Sequence, residues 1–234
     1  MAGRRALPIR PRVRLNRTIL AVLFLVLVPF VAVEAVGVAL FALVTDINRS
    51  QTGAATLTQL LVVTGLRALC LLVYARWRET RQALRINYGF THMSAIAVAA
   101  SIPLGFLISN NFEIPSGYQP QVVRALHYSI THFGEVLGLA ATVAQYLYYA
   151  SEGALLVFLA EAFQTLAETH SLRPEIPWGG LGLALTWGLL HISTKGFFVA
   201  IAAVITGLVV GVSYLLTSRS FWAPFAFWMV VTIT

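Results

Sequence analysis

The sequence contains little charge and a single cysteine. Only 11% of its 234 residues are charged, whereas 58% are hydrophobic, and the mean hydropathy is +0.79. This composition excludes an ordinary soluble domain. Its apolar runs are continuous rather than alternating, which excludes a transmembrane β-barrel. The lone Cys70, inside one of these runs, excludes an intramolecular disulfide and a cysteine-rich metal site.

The apolar runs predict an all-α, polytopic transmembrane helix bundle with about seven spans. A basic segment, 1–17, precedes a single transmembrane domain, 18–234. The predicted spans are 18–44, 54–74, 88–108, one within 122–168, 178–192, 198–216 and 221–234. In the long fourth region, residues 122–134 are expected to form an interfacial helix before one long helix crosses the membrane.

The basic residues predict the orientation of the chain. Six arginines precede the first span. One crossing within 122–168 leaves twelve basic residues on the inner side and three on the outer side, whereas two crossings would move Arg173 and Arg219 outward. A nucleic-acid arm is the rival interpretation of the arginine run, but its place beside a span favours anionic lipid, so no nucleic-acid partner is expected. We therefore expect an integral protein of a bacterial or archaeal plasma membrane with a cytoplasmic N-terminus.

Ionisable residues inside apolar spans are costly unless they are paired or face a cavity. Glu34 and Arg67 lie at comparable depths on neighbouring spans, which predicts either a structural ion pair or a polar cavity. Gln145, Tyr149 and Glu152 share one face of a long apolar helix, and that face is expected to look inward to a polar cavity.

Two histidines, His127 and His132, and Glu135 lie near the start of the region 122–168. The spacing of His132 and Glu135 places both on one helical face, which is compatible with a metal site. No matching ligand accompanies them, so solvation at the membrane interface is the preferred interpretation.

The penultimate predicted span, 198–216, carries a stripe of small residues. Ala200, Ala203, Gly207 and Gly211 recur every three or four residues. Such a stripe lets two helix backbones approach closely, and packing is a sufficient explanation for it.

Three segments carry a resemblance to a known family. Ser151-Glu152 lies in one apolar helix, Trp187-Gly188-Leu189-Leu190-His191 in a second, and Phe221-Trp222-Ala223-Pro224 follows Gly211-Val212-Ser213-Tyr214-Leu215-Leu216-Thr217. These segments resemble the motifs of the CPBP membrane proteins, the CAAX-prenyl protease and bacteriocin-processing group. The resemblance covers about the last third of the chain and implies a core over about 135–234.

The resemblance implies a site in which glutamate and histidine side chains activate a water for peptide hydrolysis. Glu152 and His191 are then the catalytic candidates. The motifs are degenerate, because Ser151 replaces a glutamate, Leu156 an arginine, and Trp228 and Thr232 the last histidine and asparagine. Candidates for lining or supporting the site are Arg67, Glu34, Gln145, Tyr149, Ser151, Lys195, Trp228 and Thr232. Arg67 or Lys195 is the candidate for the missing arginine.

Three functional hypotheses remain open at this point. The first is a catalytically impaired CPBP-like protein that binds or scaffolds a membrane peptide or protein partner. The second is an active intramembrane endopeptidase that uses Glu152 and His191, with a divalent metal as an unassigned cofactor because no full ligand set is present. The third is a transporter or lipid-handling protein whose pathway is lined by Glu34, Arg67, Glu152 and His191.

Overall fold

The computed structural model describes residues 52–76, 86–112, 120–170 and 173–233, together with Val36 and Ala39. This part of the chain is helical and contains no strand, which confirms the predicted all-α class. Segment 1–17 and nearly all of the first predicted span, including Glu34, lie outside the described residues. The helices are α1 Thr52–Arg76, α2 His92–Phe112, α3 Gln121–Phe133, α4 Glu135–Thr169, α5 Trp178–Leu183, α6 Leu189–Lys195, α7 Phe197–Leu216 and α8 Trp222–Ile233.

Three helical stretches are long and apolar enough to cross a membrane: Gly53–Val73, Glu135–Thr169 and Phe197–Leu216. Shorter apolar helices lie at His92–Leu104, Trp178–Ile192 and Trp222–Ile233. Within the described ranges, the number of full-length helices is therefore lower than the seven spans predicted. A helix of 12 residues, such as α8, extends only about 18 Å, against a hydrocarbon thickness of about 30 Å.

The region 122–168 forms one short helix and one long helix. Gly134 separates α3 from α4 and has a φ of 81°, a left-handed conformation that favours glycine. The 35 residues of α4 extend for about 52 Å without a break. This is the arrangement that a single crossing requires.

Helix α4 is the centre of the bundle. It packs against α1, α3, α5, α7 and α8. Its middle is fully enclosed, with Leu155, Leu156 and Leu159 at most 1% exposed. A polar side chain in this part of α4 therefore has to find its partners within the bundle rather than in solvent.

The segment that carries the aromatic motif is not a regular helix. A π-helical turn, Ala184–Gly188, separates α5 from α6. Such turns insert an extra residue and change the direction in which the following side chains project. Trp187 lies in this turn and His191 lies one turn beyond it.

The small-residue stripe on α7 packs closely against this segment, as predicted. A Cβ atom on Gly211 would lie 2.1 Å from the backbone nitrogen of Gly180, and one on Gly207 would lie 3.1 Å from that of Ala184. Ala200 and Ala203 are also buried. Glycine at these positions allows a backbone contact that places Trp187 against the core.

The turn between α7 and α8 is fixed by the chain before α2. Ser218 and Arg219 both have positive φ values, 55° and 64°, which are costly for residues with a side chain. The backbone of Asn87 compensates by donating to the carbonyl of Arg219 and accepting from the N–H of Phe221, each at 2.8 Å. The segment before α2 and the turn between α7 and α8 therefore meet.

Candidate functional site

The candidate site is built around a buried ion pair between α1 and α4. Nη1 of Arg67 lies 3.8 Å from Oε2 of Glu152. Arg67 is 0% exposed and Glu152 is 5% exposed. Removing two charges from water costs several kcal/mol, which close pairing and further hydrogen bonds must offset.

Tyr148 supplies further contacts for the arginine. The guanidinium group lies over its ring, 4.1 Å from the centroid, and donates to its carbonyl at 3.3 Å and to its hydroxyl at 3.2 Å. This combines a cation–π interaction with hydrogen bonds in a desolvated setting. Arg67 is thus held by two consecutive turns of α4, at Tyr148 and Glu152.

Trp187 reaches the other oxygen of the carboxylate. Its indole N–H donates to Oε1 of Glu152 at 3.1 Å, and the ring is 3% exposed. The π-helical turn brings this ring inward from the segment that follows α5. Both carboxylate oxygens of Glu152 therefore have protein partners, one cationic and one neutral.

His191 joins the cluster through the same tryptophan. The two ring centroids lie 4.6 Å apart, and Nδ1 of His191 lies 2.8 Å from the carbonyl oxygen of Trp187. Because a carbonyl can only accept, Nδ1 carries the proton, and in a neutral ring Nε2 is the basic nitrogen. The indole that links His191 to Glu152 donates but does not accept, so it is not a proton relay.

Trp228 closes the cluster from α8. Its indole N–H donates to the carbonyl of Tyr149 at 2.7 Å, and its ring packs edge-on against Trp187 at a centroid distance of 5.4 Å. A Cβ atom on Gly153 would lie 2.2 Å from Trp228, so glycine makes room for the indole. Trp228 acts as packing and as a donor to the α4 backbone.

The remaining supporting candidates are distributed between the cluster and its surroundings. Ser151 is buried but donates to the carbonyl of Tyr148 within its own helix. Gln145 donates to the hydroxyl of Tyr149 at 3.0 Å. Thr232 donates to the carbonyl of Met229, and its own carbonyl accepts from the Tyr146 hydroxyl. These residues do not extend the Arg67–Glu152 pair into a larger catalytic array.

No family model, curated protein or solved structure matches the chain. The assignment of function therefore depends on the arrangement of its own side chains.

Two of the candidate side chains fall outside the part of the chain that the structure describes, and the finding on a metal site covers only the described part. Glu34 and the side chain of Lys195 lie outside this part, so the predicted Glu34–Arg67 pair stays a prediction. Across 52–76, 86–112, 120–170 and 173–233, no three His, Cys, Asp or Glu side chains are grouped as a metal site would require. Leu156 is 0% exposed in the apolar core.

A second polar cluster, which the sequence analysis did not identify, lies toward the end of α4. Glu161 is 0% exposed and accepts from the hydroxyl of Tyr214 at 2.7 Å and from that of Thr165 at 2.9 Å. Arg219 lies 3.4 Å from Glu161 and also pairs with Glu168. The available signal was the recurrence of Glu161, Gln164, Thr165 and Glu168 along one helix face.

The two clusters differ in what they hold together. The cluster at Glu152 joins α1, α4, the π-helical turn and α8 in the middle of the bundle. The cluster at Glu161 joins α4 to α7 and to the strained turn that follows it. The first contains both predicted catalytic candidates, Glu152 and His191, and the second stabilises one end of the fold.

Proposed function

We propose that this chain is an integral membrane protein of about seven spans that binds a membrane peptide or protein partner without hydrolysing it. In this proposal it is a CPBP-like protein of a bacterial or archaeal plasma membrane, with its N-terminus in the cytoplasm. The observation that carries the proposal is the engagement of both Glu152 carboxylate oxygens, by Arg67 and Trp187, in a closed core.

This geometry supports a structural role for Glu152. A general base must lie within hydrogen-bond reach of the water that it deprotonates, and each such group contributes about 10²–10⁴-fold to the rate. Here the carboxylate is paired with a cation and accepts a hydrogen bond from the indole of Trp187, which in turn packs against Trp228. The same enclosure disfavours a transport pathway through Arg67 and Glu152.

A groove on the surface of the bundle supports the binding of a partner helix. It has a volume of about 330 Å³ and lies between α2 and α7, with Ala97, Ala100 and Ser101 on one wall and Val212 on the other. Small residues at such spacing allow a second helix to approach closely in lipid. Val212 is 40% exposed, so a bound transmembrane peptide would contact it.

The absence of hydrolysis is tested with purified protein in lipid nanodiscs. A panel of single-span and prenylated peptides is incubated with the unaltered protein, with Glu152→Ala and with His191→Ala, and the products are identified by mass spectrometry. We expect no cleavage above the lipid-only blank in any sample. Cleavage that disappears in Glu152→Ala would establish the endopeptidase hypothesis instead.

Partner binding is tested by photo-crosslinking with the same peptides. A photoreactive amino acid at Val212 is compared with one at Leu69, which is 57% exposed on α1 and lies outside the groove. We expect a peptide adduct at Val212 and at most a trace at Leu69. Equal labelling at the two positions would show random collision in the bilayer and would contradict the proposal.

A further inference from the structure

A second cavity lies apart from the buried cluster at Glu152. It is a cleft of about 600 Å³ between α1, α3 and the first part of α4. This volume is in the range of small-molecule sites, which often form between the helices of a bundle. Gln145 lies at the cleft, about two turns before Glu152 along α4.

The lining of the cleft is rich in hydrogen-bond donors and carries one positive charge. Arg124, on α3, is half-buried there, and amide groups are contributed from three helices by Gln59, Gln121 and Gln145. No Asp or Glu belongs to the described lining. The site is therefore complementary to a ligand that has a negative charge and several acceptor oxygens.

The rest of the lining is apolar. Phe133 and Leu60 contribute side chains to the same cleft. Helix α3 itself is amphipathic, with Arg124 on its polar face and Val122 and Leu126 on the opposite, apolar face. A cleft that combines a cationic, amide-rich part with an apolar part fits the junction between the headgroup and the acyl chain of an anionic amphiphile.

We propose that this cleft binds a phosphate oxyanion, with Arg124 as the charged recognition residue and the glutamine amides as additional donors. The chemistry is shared by the headgroup of an anionic phospholipid and by free phosphate, and the test distinguishes the two sources. The proposal does not depend on the binding of a peptide partner, because the α2–α7 groove and this cleft share no residue.

The test measures lipid binding by native mass spectrometry on the purified full-length chain. Phosphatidylglycerol is compared with phosphatidylcholine, whose headgroup has no net charge. We expect the apparent Kd for phosphatidylglycerol to be lower, and to rise on the order of tenfold or more in Arg124→Gln, because a charge-assisted hydrogen bond is lost. The matched control is Arg173→Gln, which makes the same charge change at an exposed position that follows α4.

Competition between inorganic phosphate and phosphatidylglycerol identifies the source of the oxyanion. Displacement of phosphatidylglycerol by excess inorganic phosphate, with phosphate binding lost in Arg124→Gln, would identify a free-phosphate site. Resistance to inorganic phosphate would identify a lipid headgroup. Far-ultraviolet circular dichroism and size-exclusion chromatography check the fold of each variant. If Arg124→Gln does not fold, Gln59→Leu replaces it as the test variant, and we expect it to weaken binding a few-fold.

The proposal is overturned if the unaltered protein retains the two lipids equally and also binds no inorganic phosphate. It is also overturned if Arg173→Gln reduces phosphatidylglycerol binding as much as Arg124→Gln does, because the effect would then be one of net charge alone.

Discussion

At the scale of single residues, the most informative feature is the buried ion pair between two helices. Arg67 on α1 and Glu152 on α4 are both buried, and each is costly in an apolar core without the other. Tyr148 and Trp187 each add a hydrogen bond to the pair. The cluster therefore specifies how α1 and the π-helical turn dock onto α4.

Breaking this pair on one side should be strongly destabilising. Arg67→Met or Glu152→Leu leaves an uncompensated buried charge, and we expect each to lower the free energy of unfolding by about 3–5 kcal/mol. The double variant should lose less than the sum of the two. The measurement is unfolding in mixed micelles by titration with sodium dodecyl sulfate, and Arg76→Met, at an exposed position, should change stability by less than about 0.5 kcal/mol. Additive losses in the double variant would contradict the pairing.

The indole N–H of Trp187 can be tested separately from its ring. Trp187→Phe keeps an aromatic ring against Trp228 but removes the donor to Glu152, so we expect a loss of about 1–3 kcal/mol. Trp178→Phe is the matched control, because that indole donates to the carbonyl of Arg173 in a solvent-exposed hydrogen bond. Equal effects from the two substitutions in the same unfolding assay would argue against a special role for the Glu152 contact.

At the scale of secondary-structure elements, the two polar clusters lie on opposite faces of α4. Glu152 and Glu161 are nine residues apart, which corresponds to about 180° around the helix. Glu152 accordingly contacts α1 and the π-helical turn, whereas Glu161 contacts α7 and the turn after it. One helix thus organises both sides of the bundle.

The close crossing of α5 and α7 predicts a sharp difference between two glycines. Gly211→Ala places a Cβ atom 2.1 Å from the Gly180 backbone, so the helices must separate, and we expect a loss of about 1–3 kcal/mol. Gly65→Ala, on α1, meets nothing within 4 Å and should gain about 0.5–1 kcal/mol from lower backbone entropy in the unfolded chain. Thermal unfolding in detergent compares the two, and a neutral Gly211→Ala would show that this contact is absent.

At the scale of the whole molecule, the two ends of α4 mark the two opposite ends of the helix bundle. The C-terminal part of α4 pairs with Arg219, and the backbone of Arg219 pairs with Asn87, so these three parts of the chain lie at one end of the bundle. Helix α3 folds back at the other end, about 52 Å away along α4. This separation exceeds the thickness of the hydrocarbon core.

This arrangement predicts the accessibility of single cysteines. In a Cys70→Ala background, His127→Cys should react with a membrane-impermeant maleimide in intact cells, because α3 is expected to lie on the outer side. Arg173→Cys, just after α4, should react only after the cells are opened. Both parent positions are exposed, so access to the reagent is matched. Labelling of both from the same side would exclude a single crossing by α4.

The sequence by itself determined the helical class, the single long helix after residue 134, and the stripe of small residues on α7. These features depend on hydrophobicity, on a glycine conformation and on spacing along one helix, all of which are local properties. Only the tertiary structure decided the partners of the polar residues. Helical periodicity indicates the face on which Glu152 lies but does not identify the neighbour across from it. Packing of the bundle brought Arg67 and Trp187 to Glu152, and Arg219 and Tyr214 to Glu161.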